Sequence, residues 1–203
     1  MKTIILLLLL AMTFSFSSSA QISKGDWLLG GSVGANFGNA NANSSSTSNA
    51  SISPHIGFAI GKNSVLELNF SGTYYSFSGQ SYNWGIAANI AYRKFFQVKN
   101  KFGLFIEFGG GFGWTKSEYS FYDSSGAISK NYNTAHTYNI GMIPGVYYQV
   151  SPGILLNASC GGIDYYYYSY NTGDWSSNIS VNFLNSFTFG IDFILGKKQP
   201  HNP

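Results

Sequence analysis

The chain has 203 residues, a formal net charge of +3, and 9% charged residues against 18% aromatic ones. Soluble domains carry about 25% charged residues, so an ordinary water-facing surface is excluded, and so small a net charge leaves no electrostatic footprint for nucleic acid. Mean hydropathy is −0.01, and no apolar run of helix length follows residue 20, which excludes a helical membrane protein.

Residues 1–20 read as a secretory signal peptide. Lys2 supplies the positive start, residues 4–12 an unbroken apolar core, and Ser18-Ser19-Ala20 the small residues before a cut ahead of Gln21. That core is well short of the ~20 residues a spanning helix needs. No cysteine stands directly after the cut, which argues against a lipoprotein. The single cysteine, Cys160, excludes an internal disulfide and falls on an apolar-parity position, as a packed or lipid-facing residue would.

Beyond the leader the chain alternates strand, long polar loop, strand and short turn. The first strand is expected over 27–37, with Trp27, Leu29, Val33, Ala35 and Phe37 on one face, followed by a low-complexity Asn/Ala/Ser loop at 38–50. Strand two, 51–60, sets Ile52, Ile56, Phe58 and Ile60 against Ser53 and His55. Its Pro54 lacks a backbone donor and calls for a bulge or a strand end. A tight turn at 61–64 leads to strand three, 65–74, where Leu66, Leu68, Phe70 and Tyr74 oppose Glu67, Asn69, Ser71 and Thr73. A polar, aromatic loop at 75–82 precedes strand four, 83–95, which sets Trp84, Ile86, Ala88, Ile90 and Tyr92 against Gly85, Ala87, Asn89 and Arg93.

A second short turn spans 97–101. Strand five, 102–115, sets Leu104, Ile106, Phe108, Phe112 and Trp114 against Phe105, Glu107 and several glycines. Gly109-Gly110-Gly111 lacks the Lys-Ser/Thr of a phosphate loop and reads as relief for sheet curvature or space beside bulky lumen neighbours. After a long loop at 116–133, strand six, 134–148, sets Tyr138, Ile140, Met142 and Val146 against Thr137, Asn139 and Tyr147. The third short turn, 149–153, ends in Ser-Pro-Gly. Strand seven, 154–163, sets Ile154, Leu156, Ala158 and Cys160 against Asn157 and Ser159, and a last loop covers 164–177. Strand eight, 186–196, alternates Phe187, Phe189, Ile191, Phe193 and Leu195 with mostly small or polar residues.

Eight strands of about ten residues, each with one apolar face, predict an all-β protein. The architecture expected is an eight-stranded antiparallel up-and-down transmembrane β-barrel, apolar face toward lipid and polar face toward the lumen. Residues 21–196 form the barrel domain and 197–203 a short periplasmic tail.

Three stretches carry a resemblance: the opening from Gln21 to Phe37, Ala91-Tyr92-Arg93-Lys94-Phe95-Phe96, and the closing 187–197. In these the chain resembles small outer-membrane barrels of the OmpA-transmembrane-domain and OmpX type, particularly Bacteroidetes-like versions. The resemblance covers the mature chain as a pattern, without a catalytic motif. It implies a bacterial outer-membrane location and lipid or lipopolysaccharide as surroundings, and no particular activity.

Four charged residues have lumen parity: Glu67, Arg93, Glu107 and Asp192. Neighbouring strands set Arg93 between Glu67 and Glu107, with Asp192 facing the same layer, and buried charges of this kind must be paired. Three acids against one arginine leave two negatives in excess, to be met by a protonated carboxyl, water or His55. The cluster reads as a structural plug, with a proton or ion gate as the functional alternative. A second candidate is the last loop, where Tyr165, Tyr166, Tyr167, Tyr168, Tyr170 and Trp175 resemble an adaptable binding surface; the plainer reading continues strand seven through an interfacial aromatic girdle. No Cys/His cluster suggests a metal, and neither His55-Ile56-Gly57 nor His136-Thr137-Tyr138 supplies the His-x-Ser of a lipid-deacylating barrel. The expected protein is therefore a monomeric, non-enzymatic barrel without cofactors, supporting the envelope or contacting an extracellular ligand through its loops. A narrow channel is the alternative, and a lipid-modifying enzyme a more distant one.

Overall fold

A computed structural model describes residues 22–38, 47–77, 81–122 and 128–196. The expected signal peptide, residues 197–203 with His201, and the middle of the first loop lie outside the described residues.

The strands are β1 (Trp27–Gly38), β2 (Thr47–Gly61), β3 (Ser64–Phe77), β4 (Ser81–Lys99), β5 (Phe102–Tyr122), β6 (Ile128–Ser151), β7 (Ile154–Tyr170) and β8 (Trp175–Leu195). Each lies antiparallel to the next, and β1 pairs with β8 from Trp27↔Leu195 to Asn36↔Ser186, closing the ring. Closure leaves no strand edge to face hydrocarbon, where unpaired backbone groups are costly. The fold is thus the eight-stranded antiparallel barrel that the alternation implies.

Its polarity is inverted relative to a water-soluble barrel. Val33, Ile52, Ile86, Ile90 and Phe189 stand exposed on the outer wall, while Glu67, Arg93 and Asp192 are buried inside. Such an outer wall is stable only where the surroundings are themselves apolar. Aromatic pairs sit on it: Trp27 on Phe58 near the short turns, Trp84 edge-on to Trp114 at 4.8 Å toward the other end.

The strands outrun their expected lengths, chiefly at the end away from the short turns, though β4 and β6 also run on through residues 96–99 and 149–151 into the expected short turns. β4, β5 and β6 have 19, 21 and 24 residues, about twice what a tilted membrane strand requires. The expected loops at 75–82, 116–133 and 164–177 are largely strand, and strand eight begins at Trp175 rather than 186. On β5 and β6 the reason is physical: beyond lipid both faces meet water, so the apolar alternation fades while the backbone ladder continues. β8 keeps the alternation at Ile179, Val181 and Phe183, and it is broken in the sequence at Leu184-Asn185. Lys130 and Glu118 pair at 2.5 Å on the projecting β5–β6 hairpin; that hydrogen bond, then the carboxylate's charge, raises the Lys130 pKa.

Pro54 departs from expectation as well. It lies in mid-strand opposite Gly31 with no bulge; instead the β2–β3 pairing is interrupted between Ile52↔Gly72 and His55↔Asn69, with the register unchanged. The true bulge is in β7. Gly161 has φ +81°, and the register against β6 and β8 shifts there. Leu155 and Asn157 point inward below it, Asp164 and Tyr166 above it, so the inward parity switches from odd to even. Cys160, just before the bulge, is half-buried.

The interior near the short turns is apolar. Ile22, Leu28, Ala59, Val65, Phe95, Phe105, Tyr147 and Leu155 form one buried cluster. Ile22 enters from the segment before β1, held by its N–H to Asn63 Oδ1 at 3.2 Å and by its carbonyl, which accepts from the Asn63 N–H at 3.0 Å.

Candidate functional site

The lumen is stacked in tiers, and the expected charge cluster occupies the one above the apolar plug. Glu67 on β3, Arg93 on β4, Glu107 on β5 and Asp192 on β8 point inward because strand parity puts them there. Arg93 pairs with Val65 and with Glu107 in the sheet, which sets its guanidinium over the aromatic floor, 5.0 Å from the Phe105 ring centre and 5.9 Å from that of Phe95.

From that position the guanidinium reaches three carboxylates. Nη2 and Nε donate to Glu107 Oε2 at 2.6 and 2.9 Å, and Nη1 donates to Asp192 Oδ2 at 3.3 Å. Nη2 also lies 3.1 Å from Glu67 Oε2, an ion pair without hydrogen-bond alignment. A planar fork of five donors makes this sharing geometrically cheap. Asp192, fully enclosed, is further tied to His55 Nε2 at 2.7 Å and to Asn157 Nδ2 at 3.0 Å. Asn69 extends the network to Glu107 Oε1 at 3.5 Å. All four sequence-identified charges therefore share one layer.

His55, on β2, and Asp192 face each other across β1, and Gly30 of β1 pairs with both. A Cβ on Gly30 would lie 2.6 Å from His55 Nε2, so only glycine leaves room for the bond. Sequence parity placed His55 in the lumen; Asn157 and Asn69 in the network are new, and their inward parity was the available signal.

The six aromatic residues of the expected binding loop are not on a loop. Tyr165 to Tyr170 belong to β7, Trp175 opens β8, and only residues 171–174 form the turn. They divide by parity. Tyr167 stacks on Trp175 at 6.2 Å on the outer wall, with Tyr165 also exposed there. Tyr166, Tyr168 and Tyr170 stack in a ladder at 6.0 and 6.4 Å along the inner wall. Asp164, expected on the last loop, points inward with no ion-pair partner among the described residues.

Above the charges lies a cavity of about 270 Å³ lined by hydroxyl, amide and small side chains and by Tyr166 and Tyr168. A larger apolar groove of about 640 Å³, lined by Ile52, Phe70, Ile86 and Phe112 among others, belongs to the lipid-facing wall. Among the described residues no three His, Cys, Asp or Glu side chains gather as a metal site.

No family model matches this chain, and no curated protein matches it in sequence. Solved structures of similar fold include Neisserial surface protein A, at 14% identity and a TM-score of 0.48, covering 85% of this chain and 97% of that one. Ail, the attachment invasion locus protein of Yersinia pestis, is similar at 11% identity and 0.44, over 85% and 99% of the two chains. The translocator domain of the autotransporter NalP from Neisseria meningitidis follows at 7% identity and 0.46, over 86% and 89%. At such identities the likeness concerns fold alone.

Proposed function

We propose that this protein is a non-conducting, non-enzymatic barrel of the bacterial outer membrane, with its short turns in the periplasm and its long hairpins outside. Its work is envelope support or recognition at the outer rim, in a lipid and lipopolysaccharide environment, as a monomer. The observation that carries this reading is the double closure of the lumen: an apolar plug filled by Ile22, Phe95, Phe105 and Tyr147, topped by a layer of paired charges. Eight-stranded barrels have interiors just wide enough for side chains to fill, and here they are filled at the short-turn end.

The same geometry weighs against catalysis. His55 and Asp192 resemble two members of a hydrolytic triad, but their exposures are 6% and 0%, and a substrate has no path to them.

Planar-bilayer recording tests the reading. The wild-type protein should give no resolvable steps, whereas a double variant Ile22→Gly, Phe105→Gly should leak. Steady single-channel conductance from the wild type would establish the channel alternative, and altered lipid A in cells carrying the protein would establish an enzyme.

A further inference from the structure

We infer that the outer half of the lumen is a binding cup for a neutral, polyhydroxylated ligand, the end of a glycan chain. The inference deepens the proposed recognition role and rests on it. At ~30 Å³ per water in the liquid, the 270 Å³ cavity holds roughly nine waters, enough space for a sugar ring. The plug closes its lower end, so a ligand enters and leaves only from the outside.

The wall chemistry selects the ligand class. Thr73, Asn89, Thr137 and Asn139 offer hydroxyls and amides, and no residue lining the cavity is charged. An anionic ligand would find no counter-ion there, and an apolar one would strip those polar groups of water without replacing it. A ligand dense in hydroxyls donates and accepts at every face.

Two further observations point the same way. Asn89 and Thr137 line the cavity, and their Oδ1 and Oγ1 atoms are buried with no hydrogen-bond partner, an unfavourable state that a turn of either side chain toward a ligand hydroxyl relieves. Tyr166 and Tyr168 line the same cavity with their ring planes 21° apart, which puts aromatic carbon on one side of the cup. The electron-rich faces of such rings attract the polarised C–H groups on one face of a sugar. Polar edge groups opposite an aromatic platform form the usual compromise of a specific small-molecule site.

Titration calorimetry on the full barrel in lauryldimethylamine oxide, a detergent without sugar, tests the cup. The probes are maltotriose, laminaritriose and N-acetylchitotriose, with trigalacturonate as the anionic control. At least one neutral probe should bind saturably, with a dissociation constant on the order of 1 mM or tighter, and trigalacturonate should not. Free trisaccharides against long dextran and mannan chains distinguish a soluble sugar from the end of a surface polysaccharide. Thr137→Val removes the unpartnered hydroxyl without changing shape, so it should weaken binding about tenfold while the unfolding midpoint holds or rises. Ala87→Leu should fill the cavity and abolish binding, with folding checked by the heat-modifiable gel shift. No saturable binding of any neutral probe, preference for the anionic one, or unchanged binding in both variants overturns the inference. The bilayer trace reports the plug and the titration reports the cup, so failure of one reading is not failure of the other.

Discussion

Arg93 is the residue on which the inner charges depend. Its guanidinium touches Glu67, Glu107 and Asp192 within 3.3 Å. Arg93→Met would leave the enclosed Glu67 and Asp192 and the partly buried Glu107 without their shared cation, and breaking a buried pair in this way costs about 3–5 kcal/mol. Phe189→Leu, on the lipid-facing wall, alters an apolar contact with hydrocarbon and should cost less than about 1.5 kcal/mol. Unfolding midpoints in detergent should separate the two variants clearly; equal midpoints would mean that the charges are not held as described. Parity along single strands made these four residues legible, because within the membrane one face of each strand must avoid lipid. The His55–Asp192 bond was beyond that logic. The two residues lie 137 positions apart, on strands that flank β1, and their meeting depends on Gly30 contributing no side chain.

At the scale of elements, the membrane-embedded half of each strand was readable and the projecting half was not. Lipid enforces contrast between the two faces, so the 186–196 stretch announces itself. Tyr165 to Tyr168 show no contrast at all, being aromatic at every position, and they read as loop although they pair continuously with β6 and β8. The Gly161 bulge hid the rest by switching parity, which placed Asp164 and Tyr166 on the inside. A side chain at 161 would have to hold φ +81° and would meet the Asn182 carbonyl oxygen. Gly161→Ala should therefore lose at least the ~1–2 kcal/mol of the left-handed conformation. It should also reduce the near-ultraviolet dichroism of the Tyr166–Tyr168–Tyr170 ladder, while the lower barrel keeps its heat-modifiable shift. Retention of the full dichroic signal would show that the ladder does not depend on the bulge.

For the whole molecule, the tiers give the barrel a direction: sealed and apolar at the short turns, charged above, open and polar at the long hairpins. The seal also carries information about time. The seat of Ile22 is assembled from β2 and β3 (Ala59, Val65), β4 and β5 (Phe95, Phe105) and β6 and β7 (Tyr147, Leu155), so it exists only once the ring has come together. Ile22 itself is tethered just ahead of β1, one side of the final β1–β8 seam. Its burial is therefore a late event, a clock hand that moves when the cylinder shuts. In a Cys160→Ser background, an Ile22→Cys thiol should react freely with maleimide early in refolding. Protection should then develop in step with the heat-modifiable form, and protection that came well before it would place the stopper ahead of the seam.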